Sequence, residues 1–194
     1  DGTNAYATTT AAVVALSRGN FSDVTYQNGY TIFTETGTDR LYVSNLDNPL
    51  VIDALDFTTV DDQPGDCVGC ISHNGELVVF KESSAEFYQL VGGSGFPFQR
   101  SAAIEVGCFA AATICKYDTT VVWVGSDLRI YRLQGYQPAP ISTPVIERKL
   151  KSASPSPALF RASVFQFDGH TFYSVTKGFD ATDVGMPTYD FNTG

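Results

Sequence analysis

The chain has 194 residues, a formal net charge of −9, 43% hydrophobic residues and 13% aromatic residues. This apolar content is sufficient for a folded core and excludes a disordered chain. Nonspecific affinity for nucleic acid comes largely from Lys and Arg, so the acidic composition does not support direct readout of DNA. The sequence has no long apolar run and no basic start before an apolar stretch, so we expect neither a membrane span nor a signal peptide.

A short pattern recurs along the chain: an apolar strand, a pair of turn residues, then a second apolar strand. The turn pairs are Asn28-Gly29, Asn74-Gly75, Asp118-Thr119 and Asp168-Gly169, which follow one another at steps of 46, 44 and 50 residues. Asn-Gly and Asp-Gly adopt the positive φ angles of a two-residue hairpin turn, so each copy predicts a tight hairpin. Repeats of this length that are rich in short strands are typical of propeller blades.

The spacing therefore predicts an all-β chain, a β-propeller-type repeat of four-stranded antiparallel blades with about four blades or part-blades. Asp1-Gly2 resembles the start of another hairpin, and residues 187–194 stop soon after one. We therefore interpret residues 1–194 as a single propeller segment, an excerpt of a longer polypeptide whose open strand edges need a cover.

One segment, residues 143–151, predicts a short helix. Thr143 is a candidate N-cap, Pro144 takes the first helical position, and Ile146 and Leu150 fall on one face. The only cluster of basic residues lies here, at Arg148, Lys149 and Lys151, and we interpret it as a solvated helix face. Elsewhere a large aromatic residue follows each hairpin turn, as expected for core packing between blades. These aromatics are Phe33, Phe80, Trp123 and Tyr173.

A glycine-rich loop precedes an aromatic pair at residues 92–98. Gly93, Phe96 and Phe98 are the candidate partner-contact residues, because a flexible loop with an apolar tip can dock into another protein. In the alternative, this is an ordinary connection between strands whose Phe side chains fold back. The sequence leaves both open.

Catalytic and metal-binding alternatives have weak support. His73 and His170 lie at hairpin turns without a nearby nucleophile in sequence. The carboxylates of Asp56, Asp61, Asp62 and Asp66 suit sugar hydrolysis, but a solvated acidic loop also explains them. Residues 61–66 have some likeness to a calcium loop but lack the alternating ligands and the terminal Glu of an EF-hand. We expect no catalytic residue, cofactor or metal.

The four cysteines permit two interpretations. Cys67 and Cys70 have the spacing of a zinc knuckle, whereas Cys108 and Cys115 are too far apart to complete the site. We therefore expect buried free thiols in a reducing compartment, and two disulfides if the chain is secreted.

Several stretches, in order along roughly residues 1–150, resemble the packaged-DNA stabilization proteins of P22-like short-tailed bacteriophages, which form the tail hub or nozzle. After Leu150 the resemblance rests mainly on the Asp168-Gly169 hairpin. The matching stretches are residues 37–44 (GTDRLYVS), 53–57 (DALDF), 95–100 (GFPFQR), 107–108 (GC), 131–138 (YRLQGYQP), 141–143 (IST) and 146–147 (IE).

The resemblance implies a non-enzymatic β-propeller subunit of the virion, assembled in the host cytoplasm. Family members form a ring below the portal and adaptor, extend the tail channel and help to retain packaged DNA. The implied partners are other copies of the chain, the phage adaptor and distal tail proteins, while DNA passes nearby without sequence-specific binding and no membrane is involved. The alternative is a carbohydrate-binding or carbohydrate-cleaving propeller used in host recognition.

Overall fold

A computed structural model of the chain describes residues 6–8, 13–15, 20–93, 95–152, 155–178 and 187–193. The hairpin predicted at Asp1-Gly2 lies outside these residues. The chain divides into two compact units, a first unit of residues 1–105 and a second unit of residues 106–194. Among the described residues, no helix is long and apolar enough to cross a membrane.

The described residues form seventeen strands, one α-helix (α1) and two short 3-10 helices. The 3-10 helices are Ala111–Thr113 and Pro157–Leu159, and α1 is Pro144–Lys151. The strands are β1 Tyr6–Thr8, β2 Val13–Ala15, β3 Phe21–Gln27, β4 Tyr30–Glu35, β5 Arg40–Val43, β6 Phe57–Thr59, β7 Cys67–His73, β8 Glu76–Lys81, β9 Ala85–Leu90, β10 Phe98–Ile104, β11 Cys115–Tyr117, β12 Thr120–Val124, β13 Ile130–Gln134, β14 Gln137–Pro140, β15 Phe160–Phe167, β16 His170–Lys177 and β17 Thr188–Asp190.

Each blade consists of consecutive antiparallel strands. The first blade is β3-β4-β5-β6 and the second is β7-β8-β9-β10, while β1 and β2 pair separately. The third blade is β11-β12-β13-β14, and β15-β16-β17 form a three-stranded fourth blade. The predicted all-β, propeller-type repeat with about four blades or part-blades is therefore confirmed.

The turn residues have the backbone angles that their hairpins require. Asn28 and Gly29 have φ of 51° and 86°, and Asn74 and Gly75 have 49° and 83°. Asp168 and Gly169 repeat this with 49° and 78°. Both central residues of a type I′ turn need positive φ, which Asn, Asp and Gly tolerate best. Local sequence thus determines these turns.

The core of the first unit lies between its two blades. Ile32, Leu41, Val43 and Val60 of the first blade and its following loop pack against a cluster from the second blade. The second-blade members are Cys67, Cys70, Leu77, Val79, Tyr88 and Phe98. Polar side chains join the first strands of the two blades, since Asp23 Oδ2 accepts the Cys70 N–H at 2.9 Å and Thr25 Oγ1 accepts the Ser72 N–H at 3.1 Å. Burial raises the pKa of Asp23.

The core of the second unit lies between the third and fourth blades and includes α1. Leu150 is buried there with Val122, Phe160 and Tyr173, and Ile146 packs against the same cluster. The predicted helix and its apolar face are therefore confirmed. Thr143 occupies the N-cap position, but its side chain makes no capping hydrogen bond.

The aromatic residues that follow the turns are all buried, but they are not all equivalent. Phe33, Trp123 and Tyr173 each come five residues after the first turn residue, whereas Phe80 comes six after Asn74. Val79 is the equivalent residue, and it packs in the core between the first and second blades. Because successive residues of a strand face opposite sides of the sheet, Phe80 lies on the other face from Val79. The aromatic repeat therefore holds in three blades.

Candidate functional site

The acidic loop, residues 60–66, connects the first blade to the second. Arg100 of β10 reaches this loop, with its Nη1 atom 3.3 Å from Asp61 Oδ1 and 3.4 Å from Asp62 Oδ1. The same nitrogen lies 3.5 Å from Glu86 Oε2. Two of the predicted acidic residues therefore share one arginine, while Asp66 is exposed and Asp56 is half-buried. The prediction of a simply solvated loop missed this arginine.

Two buried charged residues of the β8–β9 hairpin also hold the acidic loop. Lys81 is 1% exposed, and its ammonium donates hydrogen bonds to the carbonyl oxygens of Val60 and Gln63. Glu86 is fully buried, and its Oε1 accepts the Asp62 N–H at 2.9 Å. Buried charges are costly unless they are hydrogen-bonded or paired. We call Lys81, Glu86 and Arg100 the loop latch.

Tyr88 of β9 contacts the loop latch through Glu86. Its hydroxyl donates a hydrogen bond of 2.8 Å to Glu86 Oε2. Burial, followed by this bond and the charge of Glu86, raises the pKa of Tyr88 above its ordinary value. The phenol therefore stays protonated and remains a donor to the buried carboxylate.

An open, mainly polar cavity of about 370 Å³ lies beside the latch. Its lining comprises Thr58, Thr59, Asp61, Tyr88, Phe98, Gln99 and Arg100. The charged groups on this wall are already paired with each other, since Arg100 contacts Asp61 and Glu86. Within the described residues, no three His, Cys, Asp or Glu side chains are grouped to hold a metal ion. The arrangement therefore positions a loop and supplies no evident nucleophile or general base.

The predicted partner-contact residues lie where β9 connects to β10. The loop closes where the N–H groups of Val91 and Gly92 donate to the Pro97 carbonyl at 2.9 and 3.0 Å. Gly93 is exposed, with a φ of 106°. Phe98 is only 5% exposed, and half-buried Phe96 packs against it with ring centroids 5.9 Å apart. Both rings thus fold back onto the unit, whereas Gly93 and the apolar side chain of Val91, which is 60% exposed, lie at the surface.

The two histidines lie in different settings. His73 is buried at the end of β7. His170 Nδ1 is 2.8 Å from Asp190 Oδ2, and that carboxylate also accepts a 2.9 Å hydrogen bond from the Thr193 hydroxyl. The contacts seen in the described residues bring no serine to this His–Asp pair. The structure therefore assembles no Ser-His-Asp arrangement in this part of the chain.

All four cysteines are free thiols. Burial raises the pKa of Cys67 to about 12 and that of Cys115 to about 11. The pKa of Cys70 is also raised well above its ordinary value, chiefly by burial. Metal binding requires the thiolate, so these environments oppose it. Cys67 and Cys70 instead serve as apolar members of the core of the first unit.

Sequence analysis missed Lys81, Glu86 and Arg100. Lys81 ends β8 directly after four buried apolar residues (LVVF), and Glu86 is the single charge among the four buried residues that open β9. A single charged residue in a buried strand indicates that the charge has hydrogen-bond partners, because a buried charge without partners is too costly. That signal was present in the sequence, but it does not name the partners.

The repeated four-stranded meanders, the type I′ turns and the cores between blades define a β-propeller protein whose described residues form no evident catalytic centre. A sequence profile of the family described as "Bacteriophage P22 Gp10, beta-propeller" matches residues 1–176. The chain therefore belongs to this family of phage structural proteins that stabilise packaged DNA, as its motifs predict. No curated protein sequence matches the chain.

BamB from Moraxella catarrhalis matches with a TM-score of 0.52 and 12% identity, over 94% of this chain and 50% of that protein. A second protein, from Bacteroides fragilis NCTC 9343, matches with a TM-score of 0.38 and 14% identity, over 89% of this chain and 58% of that one. This chain thus spans half the length of the BamB chain. At 12% identity the likeness to BamB shows the fold alone.

Proposed function

We propose that this chain is a non-enzymatic part of a short-tailed phage tail, in a hub or nozzle below the portal and adaptor. In that position it extends the DNA channel and helps to retain packaged DNA. The family match over residues 1–176 carries this proposal. The rigid blades suit a disc whose loops face neighbouring copies and adjacent tail proteins.

Retention in this proposal is steric. With 12 basic and 21 acidic residues, the chain offers little net attraction for phosphates, so DNA passes without sequence-specific binding. A purified ring that binds duplex DNA tightly, with a steep dependence on salt, would contradict the steric mechanism. The exposed backbone around Gly93 is the proposed contact with a neighbouring tail component. In the same loop, Phe96 and Phe98 pack against the core of the first unit and anchor it.

The latch gives this proposal a mechanical basis within the first unit. Lys81 and Glu86 fix the loop between two blades through buried hydrogen bonds. Such bonds hold the loop in one arrangement, because breaking them exposes unsatisfied charged groups in the interior. A component that withstands the pressure of packaged DNA benefits from connections of this kind.

Immunolabelling of the source phage tests the location. Particles labelled with an antibody against this chain are imaged by negative-stain electron microscopy. Label confined to the tail near the portal is expected. Label on peripheral fibres or spikes would instead support the carbohydrate-recognition alternative, and unlabelled particles would remove the virion role.

A further inference from the structure

The second unit carries an exposed basic surface around the end of α1. This basic surface consists of the exposed Arg148, Lys149 and Lys151 on the helix and of half-buried Lys177 at the end of β16. Lys177 Nζ donates to Ser152 Oγ at 3.3 Å, which places the end of β16 beside the end of the helix. The buried side chain of Leu150 anchors α1 to the core, so the surface has a fixed backbone.

None of these four cations forms an ion pair with a described acidic residue. By contrast, Arg129 in the same unit lies 3.6 Å from Asp127 and 3.5 Å from Glu147. Val145 is exposed on the same helix, at 57%. A partner for this surface therefore needs both carboxylates and apolar side chains.

The β5–β6 loop of the first unit, residues 44–56, has that complementary chemistry. Asp47 and Asp53 are exposed, and so are the apolar side chains of Leu46 and Leu55, the latter at 79%. Backbone hydrogen bonds hold the loop, including Asp47 N–H to the Gly29 carbonyl at 2.8 Å. The loop thus presents an ordered surface that is both acidic and apolar.

The net charges of the two units have opposite signs, as do the charges of the basic surface and the β5–β6 loop. The first unit has 4 basic and 14 acidic residues, a net charge of −10, whereas the second has 8 basic and 7 acidic residues, a net charge of +1. Complementary potentials steer association and fix the register of an interface. A contact from the second unit of one copy to the first unit of the next is therefore electrostatically favoured.

We propose that the basic surface of one copy binds the β5–β6 loop of a second copy. This contact joins two different surfaces, so repeating it from copy to copy builds a ring when the rotation between copies closes. The proposal rests on the ring assembly in the proposed function and names the surfaces that build it. DNA phosphates also suit the four cations, but they would leave Val145 and Leu55 uncovered, whereas the second copy covers both.

The test measures self-association of the full chain by sedimentation velocity over a range of protein concentrations. The charge reversal R148E/K149E is expected to weaken association at least about tenfold, because attraction to the loop becomes repulsion. The neutral variant D47N/D53N is expected to weaken it less. Asn keeps the positive φ of position 47 and the side-chain acceptor that Asp53 offers to the Leu55 N–H at 3.1 Å.

The combination of the two variants gives the decisive comparison. If the surfaces touch, D47N/D53N weakens association of the otherwise unchanged chain but strengthens it in the R148E/K149E background, since neutral loops no longer repel the new glutamates. Equal effects in both backgrounds would refute direct contact. K116E, which reverses an exposed lysine on β11, is the control and is expected to associate normally.

Three further outcomes would overturn the proposal in distinguishable ways. An unaltered chain that stays monomeric would refute both this contact and the proposed ring. A ring that assembles equally well with R148E/K149E would refute the contact alone. In the third outcome, the unaltered chain binds a 20-base-pair DNA duplex, and R148E/K149E loses this binding but still assembles. That result would assign the basic surface to DNA phosphates.

Discussion

Replacement of Lys81 by Met tests whether the loop latch stabilises the first unit. The change keeps a long unbranched side chain and removes the ammonium that donates to the carbonyls of Val60 and Gln63. The bond to Val60 is buried and the bond to Gln63 is part-buried. A buried carbonyl that loses its donor costs about 1–3 kcal/mol, so the two together cost at most about 2–6 kcal/mol. Relief from burying an ammonium offsets part of this cost. We expect a net loss of about 3 kcal/mol in the free energy of unfolding.

This loss corresponds to a fall in Tm of about 6–12 °C, since 1 kcal/mol shifts the Tm of a domain of 150–250 residues by about 2–4 °C. Differential scanning calorimetry measures the fall. Amide hydrogen exchange gives a local check, because the acidic loop is expected to exchange faster once Lys81 is replaced.

Lys116→Met is the matched control, because Lys116 is an exposed lysine within a strand. Surface substitutions of this kind usually change stability by less than about 0.5 kcal/mol. A Tm within about 4 °C of the unaltered chain for Lys81→Met, or an equal fall for both variants, would refute the assigned role of the buried ammonium.

Three other outcomes are expected. Gly125→Ala places a Cβ 2.6 Å from Tyr131 Cε2 and should lower the free energy of unfolding by about 1–3 kcal/mol in a urea experiment. In a chain that already carries Tyr131→Leu, Gly125→Ala should cost much less, and additive losses in the double variant would contradict the steric explanation. Cys67 and Cys70 should react with Ellman's reagent at pH 8 only after unfolding, whereas fast labelling of the native chain would contradict their burial. The Asp23 carboxyl should titrate above 3.8 in a carbon-detected NMR titration, and a midpoint below 3.8 would contradict its burial. Because the pKa of Asp23 is raised on folding, its ionised form lowers the stability of the folded chain above the folded pKa. This loss of stability is relieved as the pH falls through the folded pKa.

Sequence alone predicted the features that depend on neighbouring residues. Asn28-Gly29 and Asp168-Gly169 determine their turns because few other residues tolerate consecutive positive φ angles. Helix α1 followed from Pro144 and the spacing of Ile146 and Leu150. These signals are local, so they need no knowledge of how the blades pack.

The latch depends on residues that are distant in sequence. Arg100 lies 39 residues from Asp61 and 14 from Glu86, and packing of the second blade against the acidic loop brings them together. No spacing rule links three such positions, so sequence could report only that each charge needs a partner. The same limit applied to Phe96 and Phe98, whose inward orientation depends on contacts with Tyr88 and Tyr30.

The residues that a carbohydrate site would use are already engaged by other groups of the protein. Trp123 is fully buried and donates to the Gly107 carbonyl at 3.1 Å, so it offers no stacking face to a sugar. Asp61 and Asp62 are paired with Arg100. A sugar site needs accessible aromatic faces and carboxylates in reach of the substrate. What the described surface offers instead is unpaired charge of opposite sign on the two units, which is the basis of the contact proposed between copies.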